Sequence, residues 1–375
     1  MKRKLIIVFP DDWLPFSPIT LNLYDQLSKD WNVEILTFRN KRDPWGLDQS
    51  RQLRLVKTWN LVERVLDFVD KGFKFVLGRT LQLRRRFRAI QIISVASRMK
   101  AHIWVTVDTH AAWALQKIGR SVHLVSLELY DRDPFVSKLK AEKLRSVLIQ
   151  SKTRLVSLSP HVIDPVFVVQ NAPVFPGPQT GNKWNERSGL VMSGSCIPEF
   201  GLNIVLKWFR QNTTEKLAFH GTVPSSDELL IRSEFSNELT RGNLSLSLDY
   251  MGSKQLLEYL HQFRVGFCFY DLRFEDMNQF NFWMAPSGKL FHYFAAGVPV
   301  IATDLPGLQV VREYNTGVLI RDDDPRTIRA AIEHIQANYD EMVQNCYRAA
   351  AEFSFDRALE PFREYLLTGE KPSQN

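Results

Sequence analysis

The sequence predicts an α/β protein made of two similar halves, each built on a mostly parallel sheet. Three observations carry that prediction. Short apolar, β-branched runs alternate with helical patterns along nearly the whole chain. The alternation is interrupted once, by a stretch rich in proline and glycine, and then resumes. The length of 375 residues is long for one core and comfortable for two α/β domains.

In the first half the expected strands are Lys4–Phe9, Val33–Thr37, Ile103–Val107, His123–Leu127, Arg154–Leu158 and Val166–Val169. Ser17-Pro18 before Leu21, Leu23, Tyr24 and Leu27 opens a helix with a capping hydroxyl and a first-turn proline. The stretch from Asn60 to Ala101 reads as helix, broken near Gly72 and Gly78. From Asn171 to Ser188 the chain carries Pro173, Pro176, Gly177, Pro178 and Gly181 and shows no hydrophobic period. The second alternation gives strands at Gly189–Met192, Lys216–His220, Leu244–Asp249, Val265–Tyr270, Pro299–Ala302 and Gly317–Ile320. Its helices are expected at Gly201–Arg210, Lys254–Phe263, Gly288–Ala296, Asp324–Asn338 and Glu341–Phe353. The domains are therefore 1–173 and 188–353, joined by a linker at 174–187 and followed by an amphipathic terminal helix at 354–368.

Composition excludes several classes. Hydrophobic residues make up 45% and charged residues 24%, the balance of an ordinary globular protein rather than a disordered one. Cys196, Cys268 and Cys346 are odd in number, far apart and lack a CxxC pair, which argues against a disulfide framework and a zinc site. The basic start Met1 to Lys4 and the apolar run Leu5 to Phe9 end at Asp11-Asp12, too soon for a secretory signal core. No stretch approaches the ~20 apolar residues of a membrane span. A cytoplasmic protein is expected, with any membrane association peripheral.

The formal charge of +7 is unevenly placed: Lys71, Lys74, Arg79, Arg84, Arg85, Arg86, Arg88, Arg98 and Lys100 lie between 71 and 100 without one acid among them. Val76-Leu77, Leu81, Leu83, Phe87, Ile90, Ile92-Ile93 and Val95 form an apolar stripe in the same stretch. That combination suits the anionic inner leaflet of a plasma membrane, the alternative being an internal stripe with solvated arginines. Nucleic acid is not the expected partner, since no stacking motif beyond Phe73, Phe75 and Phe87 accompanies the charge.

The most informative run is Ala285-Pro286-Ser287-Gly288-Lys289-Leu290-Phe291-His292-Tyr293-Phe294-Ala295-Ala296-Gly297, followed by Val298 to Asp304. Pro286-Ser287-Gly288 makes a turn that opens a helix, whose first amides and positive dipole end suit an anion. Lys289 adds a cation in a first turn that would favour an acid, a placement that makes sense beside phosphate. Common helix punctuation is the competing account. Gly297 ends the helix before an apolar strand.

This run resembles the donor-binding signature of the retaining GT-B glycosyltransferases of family 4, group 1, whose pattern reads P-S-K-L-F-E-Y-L-A-A-G-x-P-V-I-A-T-D-x-P-G. Gly288 is one residue extra; Leu305-Pro306-Gly307-Leu308 and Gly317-Val318-Leu319-Ile320 continue the likeness. Val107-Asp108-Thr109-His110, Leu127-Glu128-Leu129-Tyr130, Val156 to Ser159, Gln170-Asn171-Ala172-Pro173 and Phe219-His220-Gly221-Thr222-Val223-Pro224 are weaker echoes. The resemblance implies a GT-B fold of two Rossmann-like domains facing across a cleft, with the terminal helix crossing back to the first domain. It implies sugar transfer from a nucleoside diphosphate to a hydroxyl with retention, and no cofactor or metal beyond the donor substrate.

On that resemblance the donor would be held by Gly194, Ser195, His220, Gly221, Asn278, Asn281, Pro286, Ser287, Gly288, Lys289 and His292. Lys289, His110, Asp108 and Glu128 are the candidate catalytic residues. His110 contacts the sugar or its phosphate, or is a helix-start histidine without a ligand. Asp108 and Glu128 orient acceptor hydroxyls or act as a base, or serve as helix caps. Asn278, Asn281, Phe280, Phe282 and Trp283 supply the amides and aromatic faces a sugar ring needs. Asp11-Asp12 would repel phosphate and faces the acceptor or solvent. Asp322-Asp323-Asp324 precedes a helix and is read as no metal site.

Four positions depart from the pattern. Met284 and His292 stand where it has two glutamates, and Ser195 and Phe200 where it has an arginine and a lysine. The expected function is a glycosyltransferase acting on a glycan or lipid-linked acceptor in bacterial-type surface polysaccharide or glycolipid assembly. The rivals are a non-catalytic GT-B subunit that binds sugar nucleotide for a partner, and a sugar-nucleotide epimerase on the same fold.

Overall fold

The computed structural model describes residues 2–39, 51–77, 81–127, 133–158, 164–274, 283–284 and 287–371. The chain divides into two compact units, Met1–Val169 with Leu359–Asn375, and Gln170–Ala358.

In the first unit the elements run β1 (Lys4–Val8), α1 (Pro18–Leu27), β2 (Asn32–Phe38), β3 (Leu53–Val56), α2 (Asn60–Leu77), α3 (Leu83–Ala96), β4 (Ile103–Val107), α4 (Thr109–Lys117), β5 (Val122–Ser126), β6 (Leu144–Ile149) and β7 (Val166–Val168). The sheet order is β3-β2-β1-β4-β5-β6-β7, every neighbouring pair parallel. Central β1 is apolar and buried from Leu5 to Val8, as a strand covered on both faces should be; Ile7 sits opposite Ile35 on one side and Val105 on the other.

The second unit contains β8 (Leu190–Ser195), α5 (Leu202–Phe209), β9 (Leu217–Thr222), α6 (Ser225–Glu234), β10 (Leu244–Ser247), α7 (Ser253–Leu260), β11 (Val265–Cys268), α8 (Gly288–Ala295), β12 (Val300–Thr303), β13 (Gly317–Ile320), α9 (Pro325–Ala337) and α10 (Tyr339–Glu352). Its order, β10-β9-β8-β11-β12-β13, is again all parallel. Both sheets reverse direction beside their first strand, and such a switch point opens a crevice at the strands' carboxyl ends. In the second unit it lies between β8 and β11.

The structure differs from the sequence reading in four places. Arg154–Leu158, read as a strand, is a turn followed by a short helix at Leu155–Leu158, with Ser151 accepting from Thr153 N–H at its start. The strand of that region is β6, whose apolar run is framed by lysines and a glutamate that hide it in the sequence. β3 and α6 were not expected; β3 is short and half-exposed, and α6 has one buried residue, Ile231. Gly72 lies inside α2 rather than at a break.

The segment expected as a free linker is packed into the second unit. Phe175 N–H donates to Ser354 Oγ at 2.9 Å, and the buried Arg187 donates to Gly297 O and Asn182 Oδ1, each at 2.6 Å. The terminal helix α11 (Phe355–Thr368) has its later part in the first unit, where Phe362 and Tyr365 meet the ring of His123 and Arg363 pairs with Asp30 at 2.5 Å.

Candidate functional site

The signature run converges on the switch point of the second unit. β8 leaves the sheet at Gly194-Ser195, β9 at Gly221-Thr222, just after His220, and β11 at Cys268. The carboxyl ends of β8 and β9 are pressed together: a Cβ on Gly221, whose φ is +112°, would lie 2.3 Å from Gly194 O. Only glycine fits there. α8 starts at Gly288 with Ser287 as its N-cap, and Ser287 makes no side-chain cap bond. Its first-turn amides lack intrahelical acceptors, as at any helix start.

Tyr293 anchors this helix. Ser193 N–H donates to its hydroxyl at 2.8 Å, and the hydroxyl lies 3.3 Å from both Val191 O and Phe267 O. The ring occupies the space that Gly266 leaves open, since a Cβ there would come within 2.8 Å of it. One buried side chain thus ties α8 to β8 and β11 on either side of the crevice.

Lys289 is the cation of the site. Its Nζ is buried and makes no hydrogen bond among the described residues, and it lies 5.3 Å from the centroid of the Phe200 ring. Burial pushes the Cys196 thiol up to about 11 and raises that of Cys268, and the nearby Lys289 charge opposes both shifts. The ammonium is therefore near Cys196 and Cys268, at the exits of β8 and β11. A buried ammonium without a partner is costly, and in a native fold it calls for an explanation.

His292 is neutral, because burial lowers its pKa. Its Nδ1 lies 2.9 Å from Gly288 O, and a carbonyl only accepts, so Nδ1 carries the proton and Nε2 is left as an acceptor. The chain thereby offers an acceptor where the pattern has a glutamate. His220 is nearly buried, with Nδ1 3.2 Å from Ser247 Oγ and its ring against Tyr259; burial lowers its pKa too. Gly194 and Ser195 are exposed at the strand end.

The structure adds two residues to those expected in this unit. Phe200 underlies Lys289, and Asn171 packs beside Gly288, where a Cβ would meet its Nδ2 at 2.8 Å. The inserted glycine is therefore what lets Asn171 approach the helix start. Both positions belong to motifs visible in the sequence, but nothing in one dimension says that they meet the signature helix. Trp283 is exposed, whereas Asn278, Asn281, Phe280, Phe282 and Pro286 lie outside the described residues. Asp323 pairs with Lys207 at 2.9 Å and Asp324 caps α9, accepting from Arg326 N–H.

In the first unit, Asp108 and His110 end β4 and begin α4. Asp108 has φ +59°, unusual for a residue with a Cβ, and Oδ1 accepts from Leu127 N–H at 3.1 Å. It makes no cap bond to α4, so the carboxylate fastens the exit of β4 to the exit of β5 instead. His110 is fully buried, and burial with the charges of Arg85 and Arg88 pushes its pKa well down. Its Nδ1 accepts from Arg85 Nη2 at 3.0 Å, leaving the Nε2 proton buried without a hydrogen-bond partner among the described residues. Arg85 also pairs with Asp133 at 3.4 Å. Glu128 lies outside the described residues.

The acidic pair after β1 is not open to acceptor or solvent alone. Arg88, with 1% of its side chain exposed, donates to Asp11 at 2.7 Å, to Asp12 at 3.3 Å and to Glu63 at 2.8 Å. Arg84 binds Glu63 at 3.1 Å and Asp67 at 3.3 Å. Burial raises the pKa of Asp11. At Asp12 burial acts the same way, but Arg88 and Arg84 outweigh it and hold the carboxyl low. Arg84, Arg85 and Arg88 of α3, expected to face a membrane, are thus paired within the protein: their counter-charges come from other segments, which a count within 71–100 cannot show.

Residues 199–338 match the family described as Glycosyl transferases group 1. Alr3699/HepE of Anabaena, solved in complex with UDP, is 10% identical and superposes with a TM-score of 0.67, covering 98% of this chain and all (100%) of its own. The fold is GT-B. A sucrose-phosphate synthase of Thermosynechococcus elongatus, 12% identical, gives 0.66 over 98% of this chain and 100% of its own. An α,α-trehalose-phosphate synthase (UDP-forming) of Burkholderia vietnamiensis, 11% identical, gives 0.59 over 97% and 100%. Comparison with curated proteins by sequence finds no match.

Proposed function

We propose that the protein is a glycosyltransferase that moves a hexose-type sugar from a nucleoside diphosphate to a hydroxyl of a glycan or lipid-linked acceptor, with retention. Its setting is the cytoplasmic face of a membrane, in the assembly of surface polysaccharide or glycolipid. The observation that carries this reading is Lys289: a buried ammonium with no hydrogen-bond partner among the described residues, at the start of α8 and the switch point of a Rossmann-like sheet. A diphosphate supplies the counter-charge, with the first amides of α8 as donors and no metal ion required. Nε2 of His292 accepts from a hydroxyl of the nucleotide. In the retaining route the leaving phosphate takes the acceptor proton, so a strong protein base is not needed.

Uridine is the nucleoside to test first, since Alr3699/HepE was solved with UDP. The experiment is a thermal-shift panel of UDP-, GDP-, ADP- and TDP-sugars, followed by donor hydrolysis and transfer assays with and without EDTA. A melting shift with one nucleotide class and EDTA-resistant turnover are expected. No shift with any donor would sink the reading. Phe200 favours a second one, a subunit that binds donor without turning it over, because an aromatic ring stands where the pattern has a lysine. That alternative predicts binding without hydrolysis or transfer.

A further inference from the structure

α2 is amphipathic in the reverse of the usual sense. Glu63, Asp67 and Asp70, spaced i, i+4 and i+7, lie on one face of the helix and are consumed by the protein. Glu63 is buried and takes Arg84 and Arg88, Asp67 takes Arg84, and Asp70 accepts from the Leu81 and Leu83 amides at 3.0 and 2.6 Å. The opposite face is apolar and open: Leu61 is 77% exposed, Val65 54%, Phe68 78% and Phe75 92%. These four recur at i, i+4, i+7 and i+14, a straight stripe about 21 Å long at the helical rise. Trp59, just before the helix, and Phe73 are also exposed.

Charge settles what such a face meets. Arg64 and Lys71 are exposed and border the stripe along one edge, with Lys74 and Lys57 near its two ends. Among the described residues of α2 no acid lies on the apolar face; Asp67, whose side chain is 44% exposed, is on the opposite face and pairs with Arg84. A second copy docking through this face would set arginine and lysine against arginine and lysine, with no carboxylate to offset them. An apolar stripe edged by cations matches the interface of an anionic bilayer, where the side chains enter the acyl boundary and the cations meet headgroup phosphates.

We propose that the outward face of α2 is the membrane-docking surface of this protein and that its partner is an anionic lipid leaflet. The inference deepens the peripheral-membrane part of the proposed function, moves it from the arginines of α3 to α2, and is independent of the donor chemistry.

The test is flotation of the full-length protein with vesicles of phosphatidylcholine alone and of phosphatidylcholine with about one third phosphatidylserine. The wild type is expected to float with the anionic vesicles, to dissociate as salt is raised, and to show a blue shift of Trp59 emission. Phe68→Ser and Phe75→Ser should each lower partitioning by roughly tenfold or more, as the loss of a buried aromatic implies. Arg64→Ser and Lys71→Ser should each lower it about fivefold. All four positions are exposed, so melting temperatures should hold. Absence of flotation with either vesicle, or flotation that Phe68→Ser and Phe75→Ser leave intact, would overturn the proposal. So would a dimer in light scattering that Phe68→Ser dissolves while vesicle binding is absent. Nucleotide binding by the same variants in solution keeps the two readings apart: its loss in Lys289→Met with flotation retained bears on the donor site alone.

Discussion

Replacing Lys289 by methionine keeps the apolar stem and removes the charge. Among the described residues the ammonium has neither a hydrogen bond nor an ion pair, and its attraction there is to the Phe200 ring at 5.3 Å. Such a cation–π contact is worth ~0.5–2 kcal/mol, and relief of the ammonium's desolvation works against that loss. Folding stability should change by about 1 kcal/mol or less, a melting shift of ~4 °C at most in a unit of this size. Catalysis is another matter. If Lys289 faces the leaving diphosphate, its removal should lower kcat by ~10²–10³, or ~2.7–4 kcal/mol of transition-state stabilisation. The assay pairs differential scanning fluorimetry, with and without UDP, with donor turnover. Unchanged melting, a lost UDP shift and a collapsed rate are expected. A melting drop of ~10 °C with the UDP shift intact would show that Lys289 serves the fold, and the argument from its missing partner would fail.

Three further predictions concern the surroundings. Arg88→Met leaves Glu63 and Asp11 without their main counter-charge, so the first unit should lose ~3–5 kcal/mol by denaturant titration, while Arg88→Met with Glu63→Leu should recover much of it. His123 has a folded pKa lowered to about 4, through burial and then the charge of Arg145, so unfolding takes up a proton. Its contribution is complete above the unfolded value of ~6.5 and declines as pH falls toward 4; the first unit should weaken over that window, and His123→Phe should flatten the profile. Gly288→Ala puts a Cβ 2.8 Å from Asn171 Nδ2, so donor affinity should fall and Asn171→Ala in the same chain should restore part of it; equal affinity in all three proteins would show the crowding to be harmless.

Much of the fold was legible because its signals are local. Most of the buried parallel strands read as apolar runs, and the helices expected in the second half carry their own period and boundary residues. β6 escaped because polar flanks interrupt the pattern, and Arg154–Leu158 misled because its apolar residues serve a short helix. The candidate site of the second unit is local for the same reason: Ser287, Gly288, Lys289 and His292 are neighbours in sequence and remain neighbours at the start of one helix.

Residue order alone determined the α/β class, the two halves, and a phosphate-suited helix start with an oddly placed lysine. Only the tertiary structure decided which charges are satisfied. Within 71–100 the arginines have no acid, yet Arg84, Arg85 and Arg88 pair with Asp11, Asp12, Glu63, Asp67 and Asp133, brought in from β1's exit, α2 and the region after β5. Lys289, beside a serine and a glycine in sequence, has no hydrogen-bond partner among the described residues. The physical reason is that a charge's energy depends on what lies within a few ångströms and on how much water remains, and both are set by segments distant along the chain. The same holds for α2, whose period announces an amphipathic helix but not which face the protein keeps.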